Sequence, residues 1–304
     1  MGPGSRLVRF IQASRPLFLL GAALLYALGC GVARYLGVSI DWGIYLLGQG
    51  LVTSVQLGAH YLNEYYDGEI DRRNSNRTPF SGGSGRIGED GVPRRILQAA
   101  AAGCLFSSLA FVLLFIIMGK AVPEFWLLFG AALLAAVFYS VPPLRLVSSG
   151  YGELTTSILV ANLVPTFSFF LQAGELHRLL AMSTFPLTLM HMAMMLAFEV
   201  PDYAADLKYQ KRTLMVRIGW QKAMSIHNVL IVGVYLLFGL AISLGMPIAI
   251  ALPAVLTIPI GLLQIWQMHR VASGAPPNYL TLTMTPLVLF GTIAYLLAFG
   301  FWTR

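Results

Sequence analysis

The sequence predicts an all-α membrane protein of nine transmembrane helices. Three observations carry that prediction: composition, the length of the apolar runs, and the placement of basic residues. Of 304 residues, 57% are hydrophobic and 11% charged, whereas soluble domains carry about 25% charged residues. An ordinary cytosolic globule is thereby excluded. Thirty glycines and sixteen prolines fit as well, since both are commoner in membrane helices than in soluble ones.

A bilayer is crossed by about 20 apolar residues, and breaks at Gly, Pro and charged clusters divide the chain into nine such runs. Pro16 to Leu36 follows Arg15 and ends at Gly37, and Trp42 to Tyr66 follows Asp41. Ile96 to Met118 lies between Arg95 and Gly119, and Glu124 to Tyr139, the shortest, lies between Pro123 and Pro142. Gly152 to Gln172 stops before Gly174, and Leu179 to Val200 before Pro201. Ala223 to Leu244 ends at Gly245, Pro247 to Met268 at His269 and Arg270, and Leu280 to Trp302 follows Pro276 and Pro277. The first run is long enough to span and is led by Arg6, Arg9 and Arg15, so it reads as a helix rather than a cleaved signal. With the N-terminus inside, sixteen of the twenty Lys and Arg fall on one side, leaving only Arg34, Lys120, Arg178 and Arg304 on the other. That asymmetry predicts a cytoplasmic N-terminus and a C-terminus on the opposite side. Cys30 and Cys104 lie in separate runs without metal-ligand spacing and read as small core residues.

Acids are scarce, and nine of the thirteen stand in two places: Glu64, Asp67, Glu69, Asp71, Glu89 and Asp90, then Glu199, Asp202 and Asp206. The second and sixth runs cross in the same direction, so both clusters emerge on the cytoplasmic face. Asp67, Asp71, Arg77 and Thr78 recur as Asp202, Asp206, Arg212 and Thr213, each displaced by 135 residues. That offset predicts two parallel four-helix repeats and a ninth helix around a central cavity. The whole is a single transmembrane domain over residues 1–304, with repeats at about 10–147 and 150–271 and the last helix at about 279–302.

Residues four apart on a helix lie nearly above one another. Asn63, Asp67 and Asp71 therefore share a face, which His60, Gln56 and Thr53 extend into the membrane. Glu199, Asp202 and Asp206 form the matching face, with His191 farther up. One DxxxD pair would be ordinary solvated charge beside Arg72, Arg73 or Arg77; two pairs on one face, each followed at equal spacing by Arg-Thr, need another account. Converging carboxylates repel unless cations neutralise them. Mg²⁺ suits, because it takes one or two carboxylates and completes its shell with water and phosphate oxygens. Nearby Arg and Lys suit a polyanionic ligand. A diphosphate at the mouth of an apolar bundle describes an isoprenoid diphosphate.

These residues resemble the UbiA superfamily of intramembrane prenyltransferases. The family's NDxxDxxxD is similar to Asn63-Glu64-Tyr65-Tyr66-Asp67-Gly68-Glu69-Ile70-Asp71, with Glu64 for the usual Asp. Its second motif, DxxxD with GKRT and VRLG, is similar to Asp202 to Asp206, Lys211-Arg212-Thr213-Leu214 and Val216-Arg217-Ile218-Gly219, with Gln210 where Gly is frequent. Tyr139-Ser140-Val141-Pro142-Pro143-Leu144-Arg145, leading to Gly152-Glu153-Leu154, resembles the family's exit from span four. The resemblance implies departure of diphosphate from an allylic donor and capture of the carbocation by a small aromatic acceptor. It implies two Mg²⁺ ions, one on Asn63, Asp67 and Asp71, the other on Asp202 and Asp206 with Glu199 assisting. Arg77, Lys211 and Arg212 would bind phosphate oxygens, as would Arg145 and Tyr139. His60 and His191 would line an acceptor pocket or act as a base, or make interhelical hydrogen bonds as neutral rings; His177, His227 and His269 read as interfacial.

The motifs look most like the branch that prenylates 1,4-dihydroxy-2-naphthoate in menaquinone synthesis. Glu199, where that branch has Asn, and the stretch around Tyr139 depart from it, which leaves hydroxybenzoate, homogentisate, a porphyrin or a glycerol phosphate lipid as other acceptors. Another branch cyclises the prenyl diphosphate with no acceptor. A transporter with a midplane ion site is a third class, but it predicts polar groups through both leaflets. Expected partners are the isoprenoid diphosphate, the acceptor and the bilayer, with no nucleic acid.

Overall fold

The computed structural model describes residues 3–81, 83 and 92–304, without the side chains of residues 3–6, 69 and 70. Arg86, Glu89 and Asp90 lie outside the described residues, as do the side chains of Arg6 and Glu69. The described residues build an all-helical fold. In order, it forms α1 (Pro3–Ala13), α2 (Pro16–Tyr35), α3 (Trp42–Arg72), α4 (Arg94–Ile117), α5 (Pro123–Ser140), α6 (Gly152–Ile158), α7 (Val164–Ala173) and α8 (Arg178–Glu199). Two short helices follow, α9 (Tyr203–Lys208) and α10 (Leu214–Ile218), then α11 (Trp220–Ser243), α12 (Ile248–Val255), α13 (Ile258–Ala272) and α14 (Tyr279–Trp302).

Each of the nine apolar runs is helical, and among the described residues eight helices, with α6–α7 and α12–α13 each taken as one, are long and apolar enough to cross a membrane. The exception is α3, which has 31 residues but carries the polar stripe from Thr53 to Asp71. Proline accounts for two irregular spans. Pro165 has no N–H to continue the ladder, and a π-helical turn at Leu159–Leu163 joins α6 to α7 just before it. Pro253 and Pro259 flank the break between α12 and α13.

The main core lies among α2, α7, α8, α11, α12 and α14, where Leu28, Phe169, Leu187, Phe238 and Ile293 are buried. A second cluster, around Phe115, Phe125 and Phe167, packs α3, α4 and α5 on α7. Helices α2 and α7 touch at Gly29, where a Cβ would collide with the Pro165 carbonyl and Ser168 Oγ. Ser168 Oγ bridges the carbonyls of Tyr26 and Pro165 at 2.8 and 3.0 Å. Because backbone cannot yield as a flexible side chain would, Gly29→Val is expected to destabilise the bundle by about 1–3 kcal/mol. An unchanged thermal midpoint in detergent would contradict that contact.

Helix α1 was not among the expected elements. Phe10 stacks on Tyr61 of α3 with ring centroids 5.2 Å apart, while Leu7, Val8 and Ile11 are exposed. Between α1 and α2 the chain turns at Arg15, whose φ of 52° lies in the left-handed region.

Candidate active site

One cavity of about 720 Å³ runs into the bundle. Its polar mouth includes Asn63, Asp71, Arg77, Asp202, Asp206 and Lys211, and its depth includes Leu51, Val55, Phe129, Leu163 and Phe167. The polar end is supplied by the last turns of α3, the loop after it, and the segment from Glu199 to Thr213. The two acidic clusters therefore meet, although more than a hundred residues separate them.

Lys211 joins them. Its Nζ stands 3.7 Å from Asp67 Oδ2 and 4.0 Å from Asp71 Oδ1. Burial alone would lower this ammonium's pKa, but Asp71, Asp67 and Asp206 hold it well above the usual lysine value. Asp67 is fully buried and accepts from Arg145 Nη2 at 2.7 Å and from Asn63 Nδ2 at 3.1 Å. A second tie between the halves runs from Asn74 Nδ2 to Asp202 Oδ1 (2.6 Å) and to the Pro201 carbonyl (3.3 Å). Burial pushes Asp206 up to about 6 against the pull of Lys211, with Asp71 and Asp67 adding to the rise. Burial is the larger cause of that rise, and the neighbouring carboxylates add to it.

Other expected residues fall in different places. Glu199, His60, His191 and Tyr139 line the cavity. Arg212 is exposed and does not line it; the repeat pairs it with Arg77, but Lys211 is the residue that points inward. Among the described residues no three His, Cys, Asp or Glu side chains close into a metal cage. His227 is fully buried rather than interfacial, with its Nδ1 2.9 Å from Asn228 Oδ1 and its Nε2 3.3 Å from Gln264 Nε2.

The stripe on α3 also has a structural partner that the sequence did not suggest. Gln56 Nε2 donates to the Phe18 carbonyl at 3.0 Å, and His60 Nδ1 lies 2.9 Å from the Ser14 carbonyl. Arg15 Nη2 donates to Asn63 Oδ1 at 2.8 Å and to Glu64 Oε1 at 2.9 Å. The side chains of α3 thus fasten the elbow between α1 and α2.

Glu153, in the Gly152-Glu153-Leu154 stretch, has a structural role that its motif does not disclose. Its Oε1 accepts from the Leu214 N–H at 3.1 Å, and Glu199 Oε2 accepts from the Met215 N–H at 3.0 Å. Two buried carboxylates therefore satisfy the first amides of α10, where a helix leaves N–H groups without partners. This holds the adjoining Lys211 to Thr213 in place. A lone acid opening an apolar run was the available signal.

A sequence model described as the UbiA prenyltransferase family matches residues 23–285. Two curated relatives are called 1,4-dihydroxy-2-naphthoate octaprenyltransferase. The one from Bacillus subtilis is 26% identical over 218 residues, 71% of this chain and 67% of its own. The one from Mycobacterium leprae is 26% identical over 234 residues, 75% and 76% of the two chains. A UbiA homologue from Archaeoglobus fulgidus, solved with DMAPP and Mg²⁺, superposes with a TM-score of 0.72 at 17% identity, over 97% of this chain and 99% of that one. The same homologue with GPP and Mg²⁺ gives a TM-score of 0.68 at 17% identity, over 97% and 100%. Both likenesses are of fold.

Proposed function

Because the chain belongs to the UbiA prenyltransferase family, we propose that it moves a prenyl group from an isoprenoid diphosphate to a small aromatic acceptor, a quinone precursor of the 1,4-dihydroxy-2-naphthoate kind. One observation carries this reading: a cavity whose mouth gathers both acidic clusters around Lys211 and whose depth is apolar. The mouth suits a diphosphate and the depth suits a hydrocarbon chain.

The donor set fits Mg²⁺. It is all oxygen, and Asn63, Asp71, Asp202 and Asp206 share one cavity mouth, leaving coordination positions for water and phosphate oxygens. Asn63, Asp67 and Asp71 would hold one ion, and Asp202 and Asp206, with Glu199, another. When bound, the metal supplies Lewis-acid stabilisation of the leaving diphosphate. Lys211 and Arg77, which line the mouth with Tyr139, would hold phosphate oxygens where negative charge develops, while Arg145, outside the lining and bonded to Asp67, would position that carboxylate. Phe129 and Phe167 line the path of the chain and keep water from an allylic cation.

We assign α3 as a ninth span, its polar stripe turned to the cavity, the elbow and α2 rather than to lipid. The repeat is supported by two of its four helix pairs: α2 and α6 begin 136 residues apart (16 and 152), and so do α3 and α8 (42 and 178), whereas α4 and α11 begin 126 apart (94 and 220) and α5 and α12 125 apart (123 and 248). The excess of basic residues on that face supports a cytoplasmic cavity mouth.

The test is a product assay on purified protein with Mg²⁺, geranyl diphosphate and 1,4-dihydroxy-2-naphthoate. Mass spectrometry is expected to find the prenylated acceptor, and EDTA to abolish it. A cyclic hydrocarbon formed with no acceptor present would replace the transferase by a cyclase.

Asp206 adds a pH dependence. It ionises near pH 6, so below that its proton competes with the metal. The half-saturating Mg²⁺ concentration is expected to rise by up to about tenfold per unit below pH 6 and to stay level above it. For metal-free protein the sign is opposite: a raised carboxylate adds stability at acid pH and loses it as pH climbs through about 6. A Mg²⁺ titration with Asp206→Asn should lose the slope.

A further inference from the structure

We propose that His60 is the base of the transfer reaction, taking the hydroxyl proton of the aromatic acceptor on its Nε2. The assignment rests on the transferase reading above and adds the residue that handles the proton. Nδ1 of His60 lies 2.9 Å from the carbonyl of Ser14. A carbonyl only accepts, so Nδ1 carries the hydrogen and, in the neutral ring, Nε2 carries the lone pair. Among the described residues Nε2 has no hydrogen-bond partner, and His60 lines the cavity. The elbow clamp thus fixes the tautomer, as an orienting hydrogen bond does for a basic histidine.

The surroundings of this ring suit a flat aromatic acceptor. Phe18 meets His60 edge-on at 6.5 Å between centroids and meets Phe198 edge-on at 6.3 Å. All three line the cavity, with Arg15 and Gln12 on the same side. His60 is three residues from Asn63, about 4.5 Å along α3, so its ring lies next to the end of the cavity where the diphosphate binds. His191 is the alternative base and is less well placed. It is eight residues from Glu199, about 12 Å along α8; its Nδ1 faces Ser157 Oγ at 3.0 Å, and its ring meets Phe290 at 5.1 Å.

The C–O bond of the donor breaks, and its electron pair leaves with the diphosphate. A ring carbon beside the acceptor's hydroxyl forms the new C–C bond as the O–H proton passes to Nε2, giving a neutral dienone. Transfer of the ring C–H proton to that oxygen restores aromaticity, and the proton on Nε2 leaves to solvent or diphosphate.

The test compares wild type, His60→Asn and His60→Ala with geranyl diphosphate, Mg²⁺ and two acceptors: 1,4-dihydroxy-2-naphthoate, and an analogue fluorinated on the ring remote from the hydroxyls, which ionises at lower pH. Asn places its amide nitrogen near Nδ1, so it keeps the donor to Ser14 and removes the base; Ala removes both. His60→Asn is expected to lose about 10²-fold in kcat with the ordinary acceptor, to recover most of that with the fluorinated one, and to keep the wild-type melting temperature and donor affinity. His60→Ala is expected to lose at least as much and to melt lower. Equal losses of His60→Asn on the two acceptors, no loss on either, or a loss that follows a fall in melting temperature would overturn the assignment. A wild type that prenylates neither acceptor overturns the transferase reading itself, and the base falls with it.

Discussion

Asp67→Asn is expected to remove nearly all Mg²⁺-dependent prenyl transfer, on the order of 10³-fold in kcat/KM, while the bundle stays folded. The substitution keeps the side chain's shape and takes away one negative charge at the most enclosed point of the site, where Asp67 accepts from Arg145 and Asn63 and faces Lys211. Asp67 would hold the metal whose charge offsets that of a leaving diphosphate, a stabilisation worth several kcal/mol, and each 1.36 kcal/mol is a factor of ten. Product formation should fall with the circular-dichroism spectrum unchanged. Activity within about threefold of wild type would remove Asp67 from the metal site.

Lys211→Met separates the counter-charge from the ligand. Met conserves the length of the stem, so Asp67 and Asp71 lose their shared ammonium with little change in packing. Asp67 keeps its bond from Arg145, but Asp71 loses its compensating ammonium; an unpaired buried charge destabilises by up to about 3–5 kcal/mol, so the variant should melt below wild type in EDTA. Mg²⁺ brings the missing charge and should restore much of the difference, whereas turnover should stay down by about 10²–10³-fold because the phosphate contact is gone. Thermal melts with and without Mg²⁺, run beside the product assay, decide it. Equal melting of variant and wild type in EDTA would mean that Lys211 does not compensate these acids.

Both expectations rest on residues visible in the sequence, and the reason is locality. A run of apolar residues and a carboxylate every fourth position are periodic signals within one helix, so the helices and the stripe from Asn63 to Asp71 could be read directly. The stripe also hid something: the polar residues that disclosed a site on α3 made it the one run that fails an apolar count. Contacts between distant segments could not be read. Asn74 reaches Asp202 across 128 residues and Glu153 reaches Leu214 across 61, and neither has periodicity to betray it. The repeat misled at Arg212, since equal spacing from an acidic pair does not fix which of two neighbouring basic residues turns inward. His227 misled for a similar reason: its neighbour Gln264 is on another helix.

Lys211 on Asp67 and Asn74 on Asp202 also impose an order of events. The first motif leaves the ribosome with its carboxylates well before the residue that bridges them, and a chain halted between the two motifs holds acids but no shared ammonium. The site comes into being only when the second half has inserted and docked against the first. On the proposed function, diphosphate binding would therefore report that both halves have assembled, and a half-made chain would not ionise a prenyl donor in the membrane.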